Sequence, residues 1–188
     1  MDKIRTFIAV RLPAAARRRL AEVEEALKES GADVKWVSEE NLHITLKFLG
    51  YVENERMAAV CDAVKSAVDG LRPFDMSLSG VGAFPKPARP SVVWVGVRSG
   101  SEELKALAKQ VEVAMERIGF APEPRKFSAH VTVGRVKSAA GSHKLREAIE
   151  RLRDEPVDSA RVSGVAVMKS DLHRTGPVYT VLKEFGLE

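Results

Sequence analysis

Two short segments of this chain, Leu42-His43-Ile44-Thr45-Leu46 and Ala129-His130-Val131-Thr132-Val133, repeat one pattern: an imidazole and a hydroxyl two residues apart, interleaved with aliphatic residues. Such alternation marks a strand with one polar and one buried face. In a regular strand His43, Thr45 and Lys47 point one way and Ile44, Leu46 and Phe48 the other. The second copy gathers Ser128, His130 and Thr132 and sends Val131 and Val133 to the opposite side. The two histidines stand 87 positions apart in a chain of 188, close to half its length, which points to a duplicated unit with one copy per lobe. A fold that satisfies both copies buries two sheets by their aliphatic faces and leaves two polar faces to share a cleft.

The remaining apolar periodicity supplies strands and helices in alternation, with no long linker and no low-complexity segment. Pro13 opens a helix whose Ala16, Leu20, Val23 and Leu27 recur at helical spacing before Gly31. Further helices are expected at residues 53–69, with Met57, Val60, Cys61, Val64 and Val68 on one stripe, and at 101–118 and 142–153. Cys61 falls on the core side of its helix. Strands are expected at 4–12, 34–37, 41–49, 74–81, 92–98, 126–136, 161–169 and 178–185. Their alternation favours mostly antiparallel sheets, since parallel strands covered on both faces are continuously apolar. Residues 84–90 carry three prolines and read as a stiff exposed loop, with Lys86 and Arg89 placed to meet an anion.

Composition narrows the class of protein. Hydrophobic residues at 45% and charged residues at 30% exclude a disordered or collagen-like chain. A single cysteine excludes a disulfide framework and a thiolate zinc cluster, and points to a reducing cytoplasm. The first apolar run is broken by Arg5 and Arg11, and no later stretch approaches about 20 apolar residues, so neither a signal segment nor a membrane partner is expected. The formal charge of +4 favours anionic ligands without requiring them.

The chemistry follows from residue type. Histidine titrates near neutral pH, so one neutral imidazole can take a proton while a charged one gives a proton in a single in-line displacement. Each threonine, two residues along the same face, can donate a hydrogen bond to a non-bridging phosphate oxygen. Phosphodiester hydrolysis asks for both functions. No Asp or Glu stands in either motif, so no metal site is expected, because a catalytic zinc takes about three protein ligands. His143 and His173 have no companion threonine and are expected at the surface, His173 in a loop that ends Arg174-Thr175-Gly176-Pro177. Phe7, Trp36, Phe48 and Phe127 are candidates to stack a base, although Phe48 shares the aliphatic face of its strand.

These residues resemble the two-histidine phosphoesterases, and within them the RNA 2′,3′-cyclic phosphodiesterase family, also called 2′-5′ RNA ligases. The resemblance runs from Arg5-Thr6-Phe7-Ile8-Ala9-Val10-Arg11-Leu12-Pro13 through Trp36, His43-Ile44-Thr45-Leu46-Lys47-Phe48-Leu49-Gly50 and Gly82-Ala83-Phe84-Pro85 to Phe127-Ser128-Ala129-His130-Val131-Thr132-Val133-Gly134-Arg135. It implies one bilobal α+β domain over residues 1–188, with one motif per lobe at 43–46 and 130–133 and two pseudo-symmetric, mostly antiparallel sheets flanking a cleft, helices outside. It implies no cofactor, RNA with 2′,3′-cyclic phosphate ends or cyclic nucleotides as substrate, and a monomer. By the same resemblance His43 is the proton donor to the leaving 3′ oxygen and His130 the proton acceptor that activates water. Thr45, Thr132 and Arg135 then hold the phosphate, and the product carries a 2′-phosphate. Strict alternation puts Arg135 on the face of Val131 and Val133, and a bulge at Gly134 would turn it inward. Ala129 departs from the family, which usually has proline before the second histidine. Two rival readings use the same residues: 2′-5′ ligation by the reverse reaction, and a non-catalytic module that binds RNA ends.

Overall fold

The computed structural model describes residues 2–174 and 176–188, so the expected loop position of Thr175 lies outside the described residues. Strand β1 (Lys3–Arg11) leads through Pro13 into helix α1 (Ala14–Lys28). Then come β2 (Val34–Trp36), β3 (His43–Glu53), α2 (Met57–Val68), β4 (Phe74–Lys86), β5 (Arg89–Val97) and α3 (Ser101–Arg117). The chain closes with β6 (His130–Val136), α4 (Ser142–Arg151), β7 (Pro156–Val162), β8 (Gly164–Leu172) and β9 (Pro177–Gly186).

The strands form two sheets, in the orders β3-β1-β8-β9 and β2-β6-β5-β4-β7, and every pairing is antiparallel. Leaving out β2, the second order repeats the first strand for strand, with the motif strands β3 and β6 in equivalent places. Helices α2 and α3 pack on each other, α3 also against β3 and α2 against β8 and β9, while α1 and α4 cover the second sheet. One continuous core joins Ile8, Val10 and Ile44 of the first sheet, Val93, Val95 and Val131 of the second, and Leu20, Leu104, Met115 and Leu145 of the helices. Cys61 is half-buried and packs against that core.

Three expected elements take another form. Residues 161–169 are not one strand: the chain leaves the second sheet after Val162 and enters the first at Gly164, so β7 and β8 belong to different lobes. The prolines at 84–90 do not hold an open loop, because β4 runs to Lys86 and pairs with Arg89 across a tight turn. Residues 126–129 remain irregular and β6 begins only at His130.

Glu24 lies on the buried stripe of α1 with Ala16, Leu20 and Leu27. Its Oε1 has no protein partner among the described residues, and Lys28 Nζ stands 3.9 Å from Oε2. Burial pushes its carboxyl pKa up to about 8, against an unfolded value near 4.5. The fold thus favours the neutral form, so stability is full below the unfolded pKa and is lost as pH rises through about 8. Glu24→Gln is expected to raise the Tm at pH 9 by at least about 2–4 °C, the shift that about 1 kcal/mol produces in a domain of this size. At pH 5 the gain should be smaller. Thermal melts of both proteins at the two pH values check this, and equal shifts would remove the buried charge as the cause.

Candidate active site

The two motif strands break their alternation at the same place. Along β3, Thr45 pairs with Ala9 and Lys47 with Ile8, which leaves Leu46 as an extra residue. Along β6, Thr132 pairs with Trp94 and Gly134 with Val93, which leaves Val133 extra. A bulge of this kind reverses the side-chain phase of everything after it. His43, Thr45 and Phe48 therefore share the cleft face of the first sheet, and His130, Thr132 and Arg135 that of the second.

The phase change corrects two expectations and explains a third. Lys47 does not accompany His43 and Thr45 but is 5% exposed on the core side, where Nζ donates to Glu112 Oε1 at 2.7 Å and to the Ala121 carbonyl at 2.9 Å. An ammonium can be buried there because it is paired and hydrogen-bonded. Phe48 does not join Ile44 and Leu46 in the core but stands 53% exposed. Arg135 does face the cleft, turned by a bulge at Val133 and not at Gly134.

Each imidazole is held from behind by the carbonyl two residues upstream: His43 Nδ1 lies 2.7 Å from the Asn41 oxygen and His130 Nδ1 2.7 Å from the Ser128 oxygen. A carbonyl only accepts, so Nδ1 carries the hydrogen in both rings and Nε2 is the nitrogen that exchanges protons. His43 Nε2 meets Thr45 Oγ1 at 2.9 Å, and the hydroxyl donates to it when the ring is neutral. Asn41 is itself fixed across the lobe, its Nδ2 donating to the Pro177 carbonyl at 2.8 Å.

Aromatic rings wall both histidines. Phe7 and Tyr179 stand with centroids 4.9 and 5.3 Å from His43, and Phe84 and Trp94 at 5.0 and 6.3 Å from His130. Burial holds the pKa of both histidines below the ordinary value, and the carbonyl on Nδ1 opposes this in each case. The Arg135 guanidinium lowers both further, and His130 adds to the effect on His43. Burial pushes the Tyr179 hydroxyl up, against the charges of Arg135 and Arg5.

Of the aromatic candidates, Phe7 is buried beneath His43, and Trp36 and Phe127 pack against the core. Lys86 and Arg89 sit on the exposed hairpin. His143 and His173 are exposed, as expected. Ala129 keeps its place without proline's rigidity, its carbonyl accepting from the Val97 amide at 3.3 Å. Tyr179 and Trp94 had no local signature as neighbours of the histidines. For Trp94 a signal was present in Gly82 on the adjacent strand, where a Cβ would lie 2.3 Å from the indole ring. Among the described residues no group of three or more His, Cys, Asp or Glu is placed to hold a metal.

Comparison with known proteins finds relatives over most of the chain. A family model described as LigT-like phosphoesterase matches the chain twice, over residues 10–94 and 95–179, so each match contains one histidine motif. The RNA 2′,3′-cyclic phosphodiesterase of Methanothermobacter thermautotrophicus is 38% identical over 98% of this chain and all of its own. That of Aeropyrum pernix is 38% identical over 88% of this chain and 93% of its own. A Thermus thermophilus protein of known structure superposes with a TM-score of 0.82 at 29% identity, over 97% of both chains. E. coli LigT in complex with 3′-AMP does so at 0.79 and 26%, over 99% of both.

Arg135→Leu is expected to raise the pKa of both histidines, because one charge lowers both. Titration of the imidazole C2 protons by NMR reads each ring separately. A shift of one histidine alone would place the guanidinium outside the shared cleft.

Proposed function

The chain belongs to the LigT-like phosphoesterase family, and from that membership we propose that it hydrolyses RNA 2′,3′-cyclic phosphate ends to 2′-phosphates by two-histidine acid–base catalysis without a metal. The observation that carries the reading is the matched pair of imidazoles, each fixed through Nδ1 on a backbone carbonyl and each beside a threonine on the cleft face. The names of the relatives support the reaction class, and the nucleotide bound to E. coli LigT supports the ligand class. A module that only binds RNA ends would have no use for two complete histidine–threonine pairs. Ligation, the reverse displacement, would use the same groups, and water in excess favours hydrolysis.

In this reaction the non-bridging phosphate oxygens accept hydrogen bonds from Thr45 and Thr132 and face the charge of Arg135. Neutral His130 takes a proton from water at Nε2 as the water oxygen bonds to phosphorus. Charged His43 gives its Nε2 proton to the 3′ oxygen as that oxygen leaves. The ring opens to a 2′-phosphate and a 3′-hydroxyl, with His43 neutral and His130 charged, and exchange with solvent resets both. Thr45, whose hydroxyl meets His43 Nε2, turns that hydroxyl to the phosphate when substrate arrives. The bound anion also offsets Arg135, so the proton on His43 is held more firmly when it is needed.

His43→Ala and His130→Ala are each expected to lower kcat by about 10²–10⁴, the range for one positioned acid or base. The double variant should be scarcely worse than the worse single, because the two proton transfers serve one displacement. Single-turnover rates on a 2′,3′-cyclic-phosphate oligonucleotide measure this, and near wild-type turnover in either variant removes that histidine from the mechanism. Chelator should leave the rate unchanged, and accumulation of 3′-phosphate ends would reverse the assigned leaving oxygen.

The pH dependence has a definite sign. The base must be neutral and the acid charged, and burial holds both histidines below the ordinary value of about 6.5. The profile of kcat/KM is therefore expected to be a bell centred on the acid side of about 6.5, with apparent pKa values that belong to the coupled pair. The profile of kcat, which reports the complex, should lie at higher pH. A kcat/KM optimum above 7 would contradict the buried, Arg135-facing placement of the rings.

A further inference from the structure

We propose that the cleft face of the first sheet extends the phosphate site into a track for the single-stranded RNA just upstream of the cyclic end. With the terminal base at Phe48, already a stacking candidate by its sequence, Tyr51 would stack the base before it and Arg5 would meet the phosphate between them. The inference rests on the proposed reaction for its starting point, the phosphate beside Thr45, and concerns residues that the chemistry does not use.

A second irregularity in β3 makes the track. Phe7 pairs with Phe48 and Thr6 with Gly50, which leaves Leu49 extra, and Gly50 adopts a φ of 71° that favours glycine. The two bulges together place Thr45, Phe48 and Tyr51 on one face, opposite Ala9, Phe7 and Arg5 of β1. A regular strand would have put Lys47 and Leu49 in that row. Cross-strand rows on one face advance by about 7 Å, so Phe48 and Tyr51 stand roughly 7 and 14 Å along the strand from Thr45.

Both rings are offered to solvent, Phe48 at 53% exposure beside buried Phe7, and Tyr51 at 67% across from Arg5. Sheet-borne aromatics stack bases of any sequence, because every base has a π-face. Arg5 shares the row of Tyr51, and its Nη1 is held by Ser170 Oγ at 2.8 Å. The guanidinium is thereby positioned on the sheet and not loose in solvent. Continuity with the phosphate site, this cation and the aromatic pair select a nucleic-acid strand over an apolar protein partner. The track ends one row on, where Lys3 faces Glu53.

The test is equilibrium binding of an adenosine trinucleotide ending in a 2′-phosphate, compared with adenosine 2′-monophosphate. Wild type is expected to bind the trinucleotide at least about 10-fold tighter, toward the lower end of what one stacked base contributes. Tyr51→Ala should remove most of that preference while its mononucleotide affinity stays within about 2-fold, and Tyr51→Phe should retain it. Arg5→Met should weaken the trinucleotide and flatten its salt dependence. Equal affinity of wild type for both ligands, or an unchanged preference in Tyr51→Ala, overturns the track. A preserved trinucleotide preference in a protein that fails to turn over cyclic ends would overturn the proposed reaction and leave the track standing.

Discussion

The extra residue that follows each histidine–threonine pair governs the site. With Leu46 and Val133 left unpaired, strands β3 and β6 reverse phase just beyond Thr45 and Thr132. An unbroken β6 would have buried Arg135 among Val131 and Val133, where a guanidinium without a partner is costly. An unbroken β3 would have set the Lys47 ammonium on the cleft face beside His43. The bulge resolves both at once, and it does so in equivalent places of two sheets with the same strand order.

After the reversal the lobes diverge. In the first, the inward position is Lys47, whose partner Glu112 also accepts from the Glu123 amide at 2.7 Å, and whose second bond goes to the Ala121 carbonyl. The buried pair thus ties β3 and α3 to the connection that leads to Ser128 and His130. In the second lobe the inward position is Gly134, and Trp36 lies against it so closely that a Cβ would come within 2.8 Å of the ring. The outward positions diverge too, Phe48 in one lobe and Arg135 in the other. A duplicated scaffold therefore carries one charged wall and one exposed aromatic wall around a symmetric pair of imidazoles. That asymmetry suits a phosphate with a base on one side of it.

The electrostatics depend on the same packing. Aromatic rings from four strands wall the two imidazoles, and the charge of a single guanidinium reaches both. Two carbonyls keep the proton on Nδ1, so burial lowers each pKa without losing the orientation of the ring.

His43, Thr45, His130 and Thr132 were legible in the sequence because the pattern is local: two residues on one face of a strand, repeated at half the chain length. Helices α1 to α4 were legible for the same reason, their apolar stripes recurring at short range, and their observed bounds lie within a few residues of those expected. The mostly antiparallel sheets also followed from alternation. What alternation could not supply was its own interruption, since an extra residue is defined only against a partner strand. The inward turn of Lys47, the exposure of Phe48 and the bulge at Val133 and not Gly134 therefore came from pairing with β1 and β5. The division of residues 161–169 between two sheets, and the approach of Tyr179 and Trp94 to the histidines, likewise depend on contacts across the fold. Local periodicity determined which imidazoles and hydroxyls share a strand face, and long-range strand register decided which side chains stand beside them, because the direction of a side chain after a bulge depends on the partner strand and not on its own sequence.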